Sequence, residues 1–431
     1  MLRAWHTMLG APAGPVYVNL DQTLQEQRLE PSAAPLLLDP ARYPLAAPQP
    51  PDAAAIETAA TLLASAEFPV VLVGRGGQND RAWSDLVALA EHLGAAVLTD
   101  LKQPAAYPTN HYLHQCAPSI MGDEALRATL DQADVVLALN WIDVAGTLGT
   151  RQPRLVNVSL DEYVVRSWSA EHFALPPAEV PLRADVQTSV SLLLEAVAER
   201  VTHDGAAAER AERRRALHRA RRATLEAQWA AAREASWDAR PISRHRLIGE
   251  LAKAFGDRLP DVVVARGPLA WPAGTWDFTR PGAYLGYDGG AGIGSGPGMA
   301  VGAALALQDS GRPVVAVLGD GDLLMANTAL WTAAHHRIPL LVVVVNNQTY
   351  FNDEQHQERV ARARNRPVGN RAVGQRMDDP PVNFAGLARD LGIEGFGPVV
   401  DAADLASVYA QALGALDAGR PVLVDVHTSS E

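Results

Sequence analysis

Val314-Val315-Ala316-Val317-Leu318-Gly319-Asp320-Gly321 is the stretch whose reading decides the fold. Five apolar residues without polar alternation read as a strand buried on both faces, as in a parallel sheet. Gly319-Asp320-Gly321 then reads as a turn into a helix. After Gly321 come 24 residues and then Asn346-Asn347, which closes a second apolar run over residues 340–345. Strand, helix and strand at this spacing bring both strand ends to one carboxyl edge of a parallel sheet, where such folds bind ligands.

Outward from this unit, residues 241–431 carry further βα signals, with strands expected at 262–264, 314–318, 340–345 and 422–426. A separate series fills residues 54–200. It has helices over 56–66 and 82–93 and strands at 69–73, 96–98, 133–139 and 155–158. Repeated βα units predict an α/β protein with two doubly wound parallel-sheet domains. Residues 201–240 form a helical linker rich in Ala, Glu and Arg. Its Arg213-Arg214-Arg215 and Arg219, Arg221, Arg222 clusters read as a solvated face partnered by Glu209, Glu212 and Glu226, rather than as an RNA contact. Residues 31–53 are a linker rich in Pro and Ala. In residues 1–30, Leu2, Trp5, Met8 and Leu9 have helical spacing and residues 16–20 read as a strand. One helix and one strand cannot close a core, so this part is an N-terminal stub.

Composition narrows the function. The 431 residues are 48% hydrophobic and 20% charged, which excludes a disordered or fibrous chain. With 37 basic and 49 acidic residues the net charge is −12, which argues against nucleic-acid and anionic-membrane partners. The single Cys116 forms no disulfide framework within the chain. No apolar run reaches the length of a membrane span, and the N-terminus does not read as a signal peptide, so a cytoplasmic location is expected.

The chemistry concentrates at the two strand ends. Asp320 offers a carboxylate and Asn347 a carbonyl oxygen, hard donors suited to Mg²⁺, which completes its shell with phosphate oxygens and water. Gly321 lets the backbone approach a phosphate closely. The alternative is a pair of ordinary βα turns; the five residues meet at an allowed spacing by chance on the order of once in 10³ chains of this length. Gly289-Gly290-Ala291-Gly292-Ile293-Gly294-Ser295-Gly296 opens a further helix. It lacks the preceding strand and the later acidic residue of a dinucleotide loop. His335-His336, and His111 with His114, lack partners at ligand spacing and read as surface or core histidines. His356 lies in a polar stretch, 350–359, either as an acid–base or substrate-binding group or as part of a solvated helix.

Taken together, the Gly-Asp-Gly to Asn-Asn pattern resembles the diphosphate-and-metal motif of thiamine diphosphate (ThDP) enzymes. Ala329-Leu330-Trp331-Thr332-Ala333-Ala334, Arg337-Ile338-Pro339 and Asn346-Asn347-Gln348-Thr349-Tyr350 are similar to the acetolactate synthase and benzoylformate decarboxylase branch. The resemblance implies that Asp320, Asn347 and the main-chain carbonyl of Thr349 hold Mg²⁺. Gly321 and the N–H of Asp322 would contact the diphosphate, with Asp322 standing where Ser is often found. Ile293 would prop the cofactor into its bent shape, and Ala291 would meet the pyrimidine through its backbone. Gly267 and Leu269, in a turn that touches the diphosphate in relatives, could serve only through backbone groups.

Residues 54–200 resemble the family's central domain, which holds FAD in some members; nothing here decides whether FAD binds. Residues 1–30 match only the end of the pyrimidine-binding domain, and no residue is assigned the glutamate that activates the cofactor. The resemblance implies a decarboxylase or carboligase acting on a small-molecule 2-oxo acid, assembled as a homodimer or tetramer. It leaves open a truncated gene product, a separate chain supplying the pyrimidine-binding domain, and a non-catalytic ThDP–Mg binding module.

Overall fold

The computed structural model describes residues 1–11, 13–30, 38–48, 50–77, 79–120, 122–160, 175–287 and 292–429. It contains two five-stranded sheets, parallel throughout. The first comprises β1 (Pro69–Val73), β2 (Ala96–Thr99), β3 (Val135–Leu139), β4 (Arg154–Val158) and β5 (Val180–Leu182), in the order β2-β1-β3-β4-β5. Helices Ala53–Ser65, Asp80–Leu93 and Val186–His203 cover one face through Leu63, Leu86, Leu89 and Leu193. Helices Glu124–Leu130 and Val144–Leu148 cover the other.

The second sheet comprises β6 (Val263–Arg266), β7 (Val314–Gly319), β8 (Leu341–Asn346), β9 (Glu394–Val399) and β10 (Val422–His427), in the order β6-β7-β8-β10-β9. Successive side chains of a strand point to opposite faces, so its all-apolar strands need cover on both. Val315, Val317, Val343 and Val424 pack with helices Arg244–Phe255 and Leu405–Asp417. Val314, Ala316, Leu318, Val342 and Val344 pack with helices Gly296–Leu307, Ala329–His336 and Phe384–Asp390. The fold class read from the sequence is the one observed.

Three local expectations are corrected. Residues 16–20 pair with no strand among the described residues, and Tyr17 is 90% exposed, so a β-rich composition without a neighbouring edge leaves extended chain. The strands β5 and β9 escaped the sequence reading: one is three residues long, and the other carries Gly395, Gly397 and Pro398, which carry no strand signal. The helix expected around 206–240 forms as Gly205–Trp237, but it is not a solvated face on all sides. Arg214, His218 and Arg222, spaced four apart, are buried against the first domain. Arg214 donates to the Leu93 and Ala66 carbonyls and Arg222 to His114 O at 2.9 Å, so backbone acceptors replace the lost water. No helix among the described residues is long and apolar enough to cross a membrane.

Candidate functional site

The β7–β8 register sets the site. Gly319 lies opposite Val345, so the next residues, Asp320 and Asn346, leave the sheet side by side. Asp320 opens the short helix Asp320–Met325 and is 3% exposed. Its Oδ1 accepts from Gly321 N at 2.8 Å and its Oδ2 from Gln348 N at 2.6 Å. No basic side chain among the described residues pairs with it. Burial raises its pKa to about 6, although the backbone N–H donors pull in the opposite direction.

The loop after β8 is held from several sides. Asn346 Nδ2 donates to the buried Asp425 at 3.0 Å, which fixes the residue before Asn347. Asn347 Oδ1 accepts from Thr349 N at 3.1 Å. Gln348 adopts φ +58°, the left-handed region seldom used outside glycine, and so marks the turn as constrained. Thr349 Oγ1 donates to the buried Glu354 carboxylate, which also meets Arg376 Nε at 2.9 Å. Met377 N donates to Gln348 O at 2.8 Å and Tyr350 N to Gln375 O at 3.0 Å, so residues 375–377 clasp the loop.

Gly321 is required by packing as well as by any ligand: a Cβ there would lie 2.3 Å from Tyr350 Cε1. Asp322 does not present a bare charge to the site. Its Oδ1 accepts from Gly294 N at 2.5 Å and from Gly296 N at 3.4 Å, and its Oδ2 lies 3.7 Å from Arg266 Nε. The carboxylate therefore ties the glycine-rich segment to the end of β6.

The structure thus brings Asp320, Gly321, Asp322, Asn347 and Thr349 together. Ile293 stands just before helix Gly296–Leu307 and is 44% exposed. Ala291 lies outside the described residues. Gly267 packs on the Trp271 ring, and Leu269 O accepts from Ile120 N at 2.9 Å, so that turn also binds the two domains to each other. His356 is exposed on helix Phe351–Ala363, whose single buried residue is Glu354. His335 and His336 are exposed at the end of helix Ala329–His336, and His114 is a buried core residue beside Thr99 and Cys116. Sequence reasoning missed Glu354, Arg376 and Arg266. Arg266 had a signal, a charge at the end of an otherwise apolar strand.

The donor set suits a hard cation. A buried carboxylate with no basic side chain beside it among the described residues is costly, and Asn347, in the loop that donates Gln348 N to it, carries an amide oxygen. The described residues include no cluster of three or more His, Cys, Asp or Glu that could hold a metal ion.

Comparison with known proteins identifies the family. Residues 268–426 match the family described as thiamine pyrophosphate enzyme, C-terminal TPP binding domain, and residues 56–193 match thiamine pyrophosphate enzyme, central domain. The acetolactate synthase large subunit of Corynebacterium glutamicum is 26% identical over 403 residues, covering 91% of this chain and 59% of that protein. Sulfoacetaldehyde acetyltransferase of Castellaniella defragrans is 27% identical over 380 residues, covering 81% and 59%. The chain therefore spans less than two thirds of the length of these relatives. Among solved structures, benzoylformate decarboxylase from Polynucleobacter necessarius superposes with a TM-score of 0.70 at 19% identity, covering 100% of this chain and 73% of that one. A thiamine diphosphate-dependent 4-hydroxybenzoylformate decarboxylase of Rhodococcus jostii gives 0.70 at 23% identity, covering 99% and 73%.

Proposed function

From a chain that belongs to the thiamine diphosphate enzymes, carrying their central and C-terminal domains, we infer a ThDP- and Mg²⁺-dependent decarboxylase or carboligase acting on a 2-oxo acid. The observation that carries this reading is the buried, cation-free Asp320 carboxylate beside Asn347 at the β7–β8 edge.

Bound ThDP would supply an electron sink for breaking the bond between a carboxylate and a carbonyl carbon. The chain's own share is anchoring. Asp320, Asn347 and the Thr349 carbonyl would hold Mg²⁺, leaving its other positions to diphosphate oxygens and water. The Glu354–Thr349 and Asn346–Asp425 contacts keep these donors in place. Asp322 holds the glycine-rich segment at Gly294 and Gly296, beside Ile293, which would face the organic part of the cofactor; a backbone contact from Ala291 rests on the resemblance alone. His356, exposed on helix Phe351–Ala363, would contribute at most to the substrate side.

The chain spans 59% of the Corynebacterium relative, and no residue of this sequence is assigned the activating glutamate. Turnover is therefore proposed for an assembly that includes a pyrimidine-binding domain, on the same or another polypeptide, within a homodimer or tetramer. Calorimetric titration of ThDP with and without Mg²⁺ tests the anchor. Mg²⁺-dependent binding that disappears in Asp320→Ala is the expected result; binding indifferent to both would sink the reading.

A further inference from the structure

Arg266, the last residue of β6, is 1% exposed. Its guanidinium lies over the Tyr287 ring, and its Nε faces Asp322 Oδ2 at 3.7 Å. Nη1 and Nη2 are buried and have no hydrogen-bond partner among the described residues. A guanidinium carries five N–H donors in a planar fork and stays charged at any ordinary pH. Stacking on the Tyr287 ring occupies one face of the guanidinium, and its Nη edge meets neither solvent nor an acceptor among the described residues. Buried donors of this kind are nearly always satisfied, so the two nitrogens mark a place for an acceptor that the described residues do not provide.

The surroundings indicate the class of acceptor. β6 lies beside β7, whose carboxyl end carries Asp320, and Asp322 links Arg266 to Gly294 and Gly296. Residues 267–271, in the turn after β6, offer no polar side chain other than the Trp271 indole N–H, and that donates to Trp276 O. The one strong donor at this corner is thus a paired guanidinium. We propose that Arg266 is a diphosphate-binding residue, its Nη1 and Nη2 donating to phosphate oxygens while Asp322 holds the guanidinium in register. This assignment rests on the cofactor reading above and adds to it a residue that none of the backbone contacts supplies. Charge-assisted, potentially bidentate donation of this kind is the geometry arginine offers to phosphate.

The test is calorimetric titration of ThDP and of inorganic pyrophosphate, each with Mg²⁺, into wild-type protein, Arg266→Met and the double variant Arg266→Met with Asp322→Asn. Thermal melting checks that each is folded. The double variant matters because Arg266→Met alone strands a buried carboxylate. The expected result is affinity for both ligands weakened about ten- to a hundredfold in the single variant, and still weakened in the double. Wild-type affinity in the double variant would overturn the proposal, since Arg266 would then serve only to neutralise Asp322. Wild-type protein that binds both ligands equally well in all three forms overturns the arginine assignment alone. Wild-type protein that binds neither overturns the cofactor reading and the assignment together.

Discussion

Asp100, just beyond β2, and Asp320, just beyond β7, are both buried carboxylates at the carboxyl edges of five-stranded parallel sheets, and burial raises the pKa of both. Their company differs. Asp100 accepts from Lys102 N at 3.0 Å and faces Lys102 Nζ at 3.5 Å. Asp320 is met by backbone N–H groups and by no basic side chain among the described residues. The neighbouring strand end of the first sheet is closed as well: an added Cβ at Gly74, after β1, would lie 2.2 Å from the Asn140 carbonyl oxygen. One architecture thus carries a lysine-paired carboxylate in one half and, in the other, a carboxylate that no basic side chain among the described residues meets. The difference teaches that the site is made by what the second sheet leaves out.

The sharpest way to break this comparison is to exchange the roles of the two carboxylates. Asp320→Ala should weaken Mg²⁺-dependent ThDP binding by more than a hundredfold while leaving the melting temperature unchanged or higher, because an unpaired buried charge disappears. Asp100→Asn should leave ThDP binding as it is. Calorimetry and thermal melts on both variants check this, and equal losses would erase the distinction.

Next in size is Gly74→Ala. With backbone rather than a movable side chain in the way, the first domain should lose about 3 kcal/mol, read from denaturant unfolding, with ligand affinity retained. A mild effect would show that this edge is less closed than the packing implies.

Acid should then act on the halves through different groups, two buried histidines adding a loss to the first that the second lacks. Burial lowers the pKa of His218 to about 4 and of His114 to about 3. Each is kept neutral in the folded domain, so their stability contribution is present above the ordinary histidine range and is lost as pH falls toward 4. The change is on the order of 2 kcal/mol for His218, and His218→Leu should flatten it. Asp320 in metal-free protein has the reverse sign. Its folded pKa of about 6 exceeds the unfolded one, so protonation between pH 6 and 4 relieves the second half. Hydrogen exchange measured across this range should show the first domain loosening before the second.

The smallest effect belongs to Lys102→Met, which strips Asp100 of its cation. Because Lys102 is partly exposed, the loss should be about 1 kcal/mol, detectable as a small drop in melting temperature.

Much of this was legible in the chain. The runs at 69–73, 314–318 and 340–345 are too apolar for anything but strands covered on both faces, and Gly319-Asp320-Gly321 with Asn346-Asn347 come to one edge of the second sheet as their spacing predicts, where we propose the anchor. What stayed hidden depends on partners far away in sequence. Arg214, His218 and Arg222 look like a polar helix face until the Leu93, Ala66 and His114 carbonyls come to meet the arginines. Residues 16–20 look like a strand, yet no edge among the described residues receives them. Glu354 is one acid among several in its helix until Thr349 and Arg376 converge on it. Periodicity reports what a segment prefers; it does not report which backbone acceptors a fold will bring to it.

The helix Gly205–Trp237 runs 33 residues, about 50 Å, and is fastened at both ends. Arg214 and Arg222 grip the first domain, while Arg233 donates to Gly274 O at 2.6 Å and Trp237 lies beneath Arg246 and Lys253 of the second. It works as a splint. The orientational freedom that a loose tether would grant the two domains is surrendered during folding, not at the moment of ligand capture. A molecule arriving at the Asp320 edge meets walls already set, and little of its binding free energy is spent on arranging them.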